Sequence, residues 1–151
     1  MNLERSILVA FIGNYLINNV VAAIVALIPA SNSTSVFTPQ YIAYVILAAI
    51  FAAVFAWWTI KNVSASRAMR AGIIFGVVAF VVSIVTAFVT GVTGVLAQTG
   101  SLSQMFSIIP NFGPFLMSWS TLVLLGYWLI PSALVGWWLQ RKAAMSSPAA
   151  I

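Results

Sequence analysis

The chain has 151 residues, of which 63% are hydrophobic and 5% charged, with six basic residues and one acidic residue. A soluble domain is typically about 45–50% apolar and about 25% charged, so this composition excludes an ordinary soluble fold and indicates a protein surrounded by lipid. The sequence has no cysteine and no histidine, which excludes disulfides, thiol chemistry and the usual zinc and copper sites. We therefore expect an integral membrane protein with no metal site and no cofactor.

Four apolar segments are long enough to cross a bilayer, since about 20 helical residues span a hydrocarbon core of about 30 Å. In chain order they lie at about residues 6–30, 41–60, 71–97 and 115–139. Backbone groups in lipid must pair within their own segment, so the spans are predicted to be helices. The predicted fold is all-α: a four-helix transmembrane bundle that forms a single domain over residues 1–142, followed by a short disordered tail at residues 143–151.

Helix punctuation marks several ends of these spans. Thr38 and Pro39 are typical of an N-cap followed by the first helical position. Residues between Asn111 and Pro114 offer a similar start for the fourth span, and Pro29 is expected to close the first. We expect the polar loops to lie between these signals.

The basic residues predict how the spans are oriented. All six lie beside the same ends of the predicted spans: Arg5, Lys61, Arg67, Arg70, Arg141 and Lys142. The other two loops, residues 31–40 and 98–114, contain no charged residue. The positive-inside rule then predicts a multi-pass protein of the cell (inner or plasma) membrane with both termini in the cytoplasm. Because the basic residues flank spans instead of clustering on one face, we expect no nucleic-acid partner.

The ends of the second and fourth spans resemble each other. AAVFAWWTIKN and SALVGWWLQRK align Trp57 and Trp58 with Trp137 and Trp138, each pair being followed by basic residues. A tandem duplication of two helical hairpins would explain this. Alternatively, any cytoplasmic helix end favours tryptophan beside lysine or arginine. On both interpretations, these tryptophans and the basic residues next to the spans are expected to be interface anchors.

The loop at residues 98–114 carries a helical pattern. Leu102, Met105, Phe106 and Ile109 recur with the spacing of one helix face, which predicts a short amphipathic segment on the outer surface. An apolar loop folded over the bundle is the alternative.

The first span contains three asparagines within IGNYLINNVV, residues 12–21. At helical spacing, Asn14, Asn18, Tyr15 and Asn19 share one wedge of the helix. An amide placed in an apolar medium without a partner costs about 2–7 kcal/mol, so this wedge is expected to face other helices, a partner or water. The asparagines are therefore the main candidate functional residues.

The third span has a complementary face. Its polar stripe contains Ser83, Thr86, Thr90 and Thr93, and small residues that permit close helix packing include Gly72, Gly76 and Gly91. We expect spans one and three to pack centrally through these faces. In span four, Pro131 predicts a kink.

Three interpretations of the polar cluster stay open: hydrogen bonds that hold the helices together, the lining of a polar path, or contact with a separate membrane partner. No predicted span contains Asp, Glu, His, Lys or Arg, which disfavours proton-coupled transport and enzymatic catalysis. The first hypothesis is a non-enzymatic structural or accessory subunit whose partners are the lipid bilayer and itself or another membrane protein. The second is a passive channel or facilitator for a small neutral solute or weakly coordinated ion. Its path would be lined by Asn14, Asn18, Asn19, Ser83, Thr86 and Thr90. The third hypothesis, a holin-like or immunity-type protein, rests on size and span number alone.

Overall fold

The computed structural model describes residues 2–29, 37–101 and 108–146, and every regular element within these ranges is a helix. Four helices are long and apolar enough to cross a membrane: α1 (Leu3–Val25), α2 (Pro39–Ile60), α3 (Ala65–Thr99) and α5 (Trp119–Ser146). A shorter helix, α4, covers Ile108–Leu116. The predicted all-α class with four long apolar helices is confirmed at this level.

Helix starts follow local capping chemistry. Pro39 is the first residue of α2, and the Thr38 side chain accepts a hydrogen bond of 3.1 Å from the Tyr41 backbone N–H, as the sequence predicts. At the start of α1, the Asn2 side chain accepts from the Glu4 N–H at 3.0 Å. Such caps satisfy backbone donors that have no partner within the helix.

Helix bounds differ from the predicted spans in several places; the third span, for example, begins at Ala65 and not at about residue 71. The first span ends at Val25 and passes through a turn before Pro29. The predicted start between Asn111 and Pro114 is wrong, because Pro114 lies inside α4 and the fourth span begins at Trp119 after a break. The helix then continues to Ser146, so residues 143–146 are helical and not part of a disordered tail, while residues 147–151 lie outside the described residues.

The fourth span begins where it does because of Ser118 and Thr121. The Ser118 carbonyl accepts the first backbone bonds of α5, including one of 3.1 Å from the Thr121 N–H. The Thr121 hydroxyl donates at 2.7 Å to the Phe115 carbonyl, which lies near the end of α4. Of the predicted amphipathic segment, Ile109 lies on α4 with an exposed side chain, and Leu102, Met105 and Phe106 lie outside the described residues.

One end of the bundle collects the basic residues. The Arg5 guanidinium, near the start of α1, lies 5.7 Å from the centre of the Trp58 ring near the end of α2. Gly136, near the end of α5, packs against the backbone of Ala68 near the start of α3. The starts of α1 and α3 and the ends of α2 and α5 therefore share one end, which we call the basic end. We call the opposite end the uncharged end.

The closest helix contact joins α3 to α5 through three glycines. A Cβ at Gly136 would lie 2.6 Å from the Ala68 carbonyl oxygen, and one at Gly76 would lie 2.9 Å from the Leu129 Cα. A Cβ at Gly72 would collide with the Ser132 carbonyl oxygen. The expectation that Gly72 and Gly76 serve the contact between spans one and three is therefore wrong: they bring α3 against α5, because glycine on both helices lets the two backbones touch.

Candidate functional site

The asparagines of α1 lie at a widened turn of the helix. A five-residue π-helical segment, Ile17–Val21, interrupts the α-helical pattern and includes Asn18 and Asn19. The Asn19 side-chain amide donates to the Tyr15 carbonyl at 2.8 Å. Such π-helical turns are rare and occur frequently at functional sites. Two adjacent asparagines mark this turn in the middle of a span, but their spacing in the sequence does not predict a π-helical turn.

Five side chains connect all four long helices by hydrogen bonds. The Trp128 indole N–H donates to Ser83 Oγ at 2.9 Å, and Ser83 Oγ lies 2.9 Å from Asn14 Oδ1, to which it donates. The Asn18 amide also donates to Asn14 Oδ1, at 3.3 Å. The Tyr44 hydroxyl donates to Asn18 Oδ1 at 3.2 Å. We call these five residues the central polar network.

The network is deeply buried at its centre. Asn14 is 2% exposed, Ser83 3% and Trp128 0%. On the side towards the basic end, the Phe75 ring meets the Trp128 ring edge to face, with the ring centroids 6.3 Å apart. A buried polar group that loses its partner costs about 1–3 kcal/mol, so each member of the network depends on its neighbours. The chain thus supplies two donors to the side-chain oxygen of its buried asparagine.

Two members of the network were not among the predicted site residues. Tyr44 and Trp128 are aromatic residues inside apolar spans, and the sequence gives no spacing that pairs them with α1 or α3. A signal does exist: a tyrosine or tryptophan buried at mid-span needs a partner for its O–H or N–H. Which residue supplies that partner depends on how the helices are rotated against one another.

A central cavity of about 220 Å³ adjoins the network. Asn14, Asn18, Tyr44 and Ser83 contribute to its lining. It reaches towards the uncharged end, where Tyr41 in the first turn of α2 also lines it. A polar cavity of this volume is large enough to hold water. Towards the basic end, the fully buried Trp128 donates to the lining residue Ser83 and packs against Phe75.

An outer groove of about 470 Å³ runs along the surface between α1 and α3. Its lining residues are Phe11, Asn14, Tyr15, Asn18, Asn19, Thr86, Ala87 and Thr90. Tyr15 is 61% exposed, and no hydrogen bond of its hydroxyl is found among the described residues. No hydrogen bond of the Asn19 side-chain oxygen is found among the described residues either. The Thr86 hydroxyl, by contrast, bonds to the Val82 carbonyl of its own helix at 2.8 Å.

The structure thus divides the predicted polar cluster into two parts. Asn14, Asn18 and Ser83 meet in the central polar network. Tyr15, Asn19, Thr86 and Thr90 lie along the outer groove.

Two further predicted positions have different surroundings. A Cβ at Gly91 would meet nothing within 4 Å, so this residue makes no close helix contact within the described chain. Pro131 lies inside α5, and its kink stays a prediction.

The predicted anchors form cation–π pairs at the basic end. The Lys61 ammonium lies 4.9 Å from the centre of the Trp57 ring. Arg141 lies 5.3 Å from the Trp137 ring, and Lys142 lies 5.3 Å from the Trp138 ring. Each such pair is worth about 0.5–1 kcal/mol at an exposed site. Trp57, Trp137 and Trp138 therefore each pair with the basic residue four positions later, whereas Trp58 pairs with Arg5 of α1.

No family model, curated protein or solved structure matches this chain. Among the described residues, no group of three or more potential metal-binding side chains occurs.

Replacing Ser83 with alanine is expected to lower the free energy of unfolding by about 0.6–1.7 kcal/mol, the range measured for hydrogen bonds between membrane helices. The variant removes the hydroxyl through which Trp128 of α5 reaches Asn14 of α1. Reversible unfolding in mixed detergent measures the change. Thr86→Val is the matched control, because the Thr86 hydroxyl bonds only within its own helix. Equal losses in both variants would contradict a linking role for Ser83.

Proposed function

We propose that this chain is a small non-enzymatic polytopic membrane protein that acts as a structural or accessory subunit of an oligomeric membrane complex. The observation that carries the proposal is the outer groove, where polar groups of Tyr15 and Asn19 lie on a surface of otherwise apolar helices. In a bilayer this surface of a lone chain would meet lipid, where an unpaired polar group is costly. A helix of another subunit, seated in the groove, would remove that cost.

The second half of α3 supports the same proposal. With 35 residues, α3 is about 50 Å long, well beyond the hydrocarbon thickness of about 30 Å. No residue of α3 after Ser83 is buried within the described chain. Gly91 and Gly94 leave open space beside the helix, as a close helix partner would need. This half of α3 is therefore available for contact with a second subunit.

The central polar network supports a structural role of the buried asparagines. Asn14 accepts from two side chains on two helices, and Asn18 bonds to both Asn14 and Tyr44. Hydrogen bonds of this kind fix the rotation of membrane helices against one another. Asn14 would thus hold the subunit together, while Asn19 on the same helix is left for the partner.

The basic end supports a topology with both termini in the cytoplasm of a cell (inner or plasma) membrane. All six basic residues lie at or near this end, and positively charged loops are retained on the cytoplasmic side.

A passive facilitator for a small neutral solute is the second candidate, favoured by the central cavity. The cavity is lined by amide and hydroxyl groups, as a path for such a solute would be. It ranks second because Phe75 and Trp128, both 0% exposed, fill the bundle between the cavity and the basic end. A solute could cross only if these rings moved. No specific contact favours the holin-like or immunity-type hypothesis.

The direct test is native mass spectrometry of the protein extracted from its own membrane in a mild detergent, without overexpression. We expect a complex of defined composition, either with another membrane protein or with a fixed number of copies of this chain. A heteromeric complex would identify the partner. A strictly monomeric protein at every detergent concentration would overturn the proposal.

Substitution in the outer groove provides the residue-level test. Asn19→Leu is expected to weaken assembly by at least tenfold in dissociation constant, because the partner loses one hydrogen bond and the groove loses its shape. The unfolding free energy of the isolated chain should change little, since Asn19 bonds only to a carbonyl of its own helix. Val77→Leu, at an exposed position of α3 that does not line the groove, is the matched control. Unchanged assembly in Asn19→Leu would argue against the groove as the contact surface.

A further inference from the structure

A second polar cavity lies at the basic end, apart from the groove and the central network. It has a volume of about 560 Å³ and lies between the start of α1, the connection from α2 to α3, and the start of α3. Three arginines contribute to its lining: Arg5, Arg67 and Arg70. Asn62 and Ser64 add polar side chains. We call it the basic cavity.

The guanidinium groups of this cavity have no carboxylate partner. Glu4, the only acidic residue of the sequence, does not line the cavity, and no ion pair between it and these arginines occurs in the described part of the chain. The Arg67 Nε–H donates to Ser64 Oγ at 3.0 Å. The four terminal N–H groups of Arg67 take no part in this hydrogen bond. Arg5 is held against the Trp58 ring. Three arginines thus line one cavity, and within the described residues none of them pairs with a carboxylate.

The start of α3 lies beside the cavity, since Ser64 and Arg67 both line it. Ser64 precedes the helix, but its side chain makes no capping hydrogen bond to the helix backbone. Its hydroxyl accepts from Arg67 instead. The first backbone N–H groups of a helix lack partners within it and favour an anion. This contribution supplements the three guanidinium groups.

We propose that the basic cavity binds the phosphate group of an anionic phospholipid from the leaflet at the basic end. Guanidinium groups match phosphate oxygens with paired hydrogen bonds, which lysine cannot reproduce. A lipid fits better than a free phosphate because Leu3 and Ile74, both exposed and apolar, also line the cavity. They offer a surface to an acyl chain directly beside the charges. This site is separate from the proposed assembly surface and does not depend on it.

The competing explanation is that these arginines serve topology alone. Basic residues at a cytoplasmic end attract anionic lipid without any site, at about fivefold in affinity for each charge. That general attraction applies equally to Arg141 and Lys142, which do not line the cavity. A charge-assisted hydrogen bond within a site is worth about tenfold or more. The size of the loss in lipid affinity therefore distinguishes a specific binding site from general electrostatic attraction.

The experiment is native mass spectrometry of the full chain titrated with phosphatidylglycerol in detergent. We expect one tightly retained lipid, with Arg67→Gln and Arg70→Gln each lowering its affinity by about tenfold or more. Arg141→Gln and Lys142→Gln remove the same charge outside the cavity and should lower the affinity by about fivefold or less. All four positions are exposed, so we expect the variants to fold, and their thermal unfolding in detergent checks this.

Further ligands separate the possible sources of phosphate. Phosphatidylcholine, whose headgroup has no net charge, should bind at least tenfold more weakly than phosphatidylglycerol. Inorganic phosphate at millimolar concentration should not displace the lipid; displacement by it would assign the cavity to a soluble anion and overturn the lipid proposal. Equal losses in all four variants, or full affinity in both Arg67→Gln and Arg70→Gln, would overturn the site itself. Arg67→Lys keeps the charge and should retain only part of the affinity, because it loses the paired geometry.

Discussion

Gly72→Val is expected to force α3 away from α5 and to lower the free energy of unfolding by about 3 kcal/mol or more, the upper end of the range for overpacked sites. Even the first side-chain carbon at this position collides with the Ser132 carbonyl oxygen, and it would also lie 3.3 Å from the Gly136 Cα. Backbone atoms on the facing helix cannot rotate away as a flexible side chain can. The two helices must therefore separate, which also withdraws Trp128 from Ser83.

The matched control is Gly91→Val on the same helix. A Cβ at Gly91 meets nothing within 4 Å, so the change in unfolding free energy should stay within about 0.5 kcal/mol. Both variants add the same side chain to a helical glycine, which cancels the effect of valine on helix propensity. Unfolding in mixed detergent, followed by tryptophan fluorescence, measures both. Equal stability of the two variants would show that α3 and α5 do not touch at Gly72.

The fold class could be predicted because it depends on composition. A chain with almost no charge away from its span ends can satisfy its backbone only as long helices in lipid, and the four segments follow from their lengths. The bounds were less accurate because they depend on single side chains. Pro114 is a good first residue of a helix, but it lies inside α4, and α5 starts only at Trp119. There the Ser118 carbonyl and the Thr121 hydroxyl form hydrogen bonds with backbone groups at the helix ends.

For each contact in the candidate site, the sequence predicts one of the residues but not the partner on the other helix. Helical spacing groups Asn14 with Asn18 on one face, and it places Ser83 on a polar stripe of the third span. It does not state which faces meet, because that depends on packing among all four helices. The sequence therefore does not predict Tyr44 and Trp128 as partners of these residues. The glycines show the same limit: Gly72 and Gly76 are recognisable as packing residues, but α5 as their partner follows only from Gly136 lying opposite.

One asparagine-rich stretch of α1 faces two directions, because residues five apart on a helix are rotated by about 140° relative to each other. Asn14 points into the bundle and is buried, whereas Asn19 lies on the outer groove and bonds to the Tyr15 carbonyl of its own helix. Asn18 lines both the central cavity and the groove. The π-helical segment changes the rotation between these residues relative to an ideal α-helix. On the proposed function, the inner asparagine stabilises the subunit and the outer one meets its partner.

Trp128→Ala is expected to lower the free energy of unfolding by about 3–5 kcal/mol, as for other buried tryptophans replaced by alanine. The side chain is fully buried, contacts Phe75 edge to face, and donates to Ser83. Its removal leaves a void directly beside the central cavity, and it removes one hydrogen bond that links α5 to α3. Trp128→Phe keeps a ring against Phe75 and loses mainly the hydrogen bond, so we expect a smaller loss of about 1–2 kcal/mol.

The same pair of variants separates the two functional candidates, because Trp128 is buried next to Ser83, which lines the central cavity. If the chain is a subunit without a path, liposomes containing the wild-type protein should show no more solute flux than empty liposomes. Trp128→Ala should then raise the flux of a small neutral solute only if the void left by the indole connects the central cavity to the basic end. Trp128→Phe should not raise the flux. A wild-type flux well above that of empty liposomes would favour the facilitator. Full stability of Trp128→Ala would contradict the buried position of the indole.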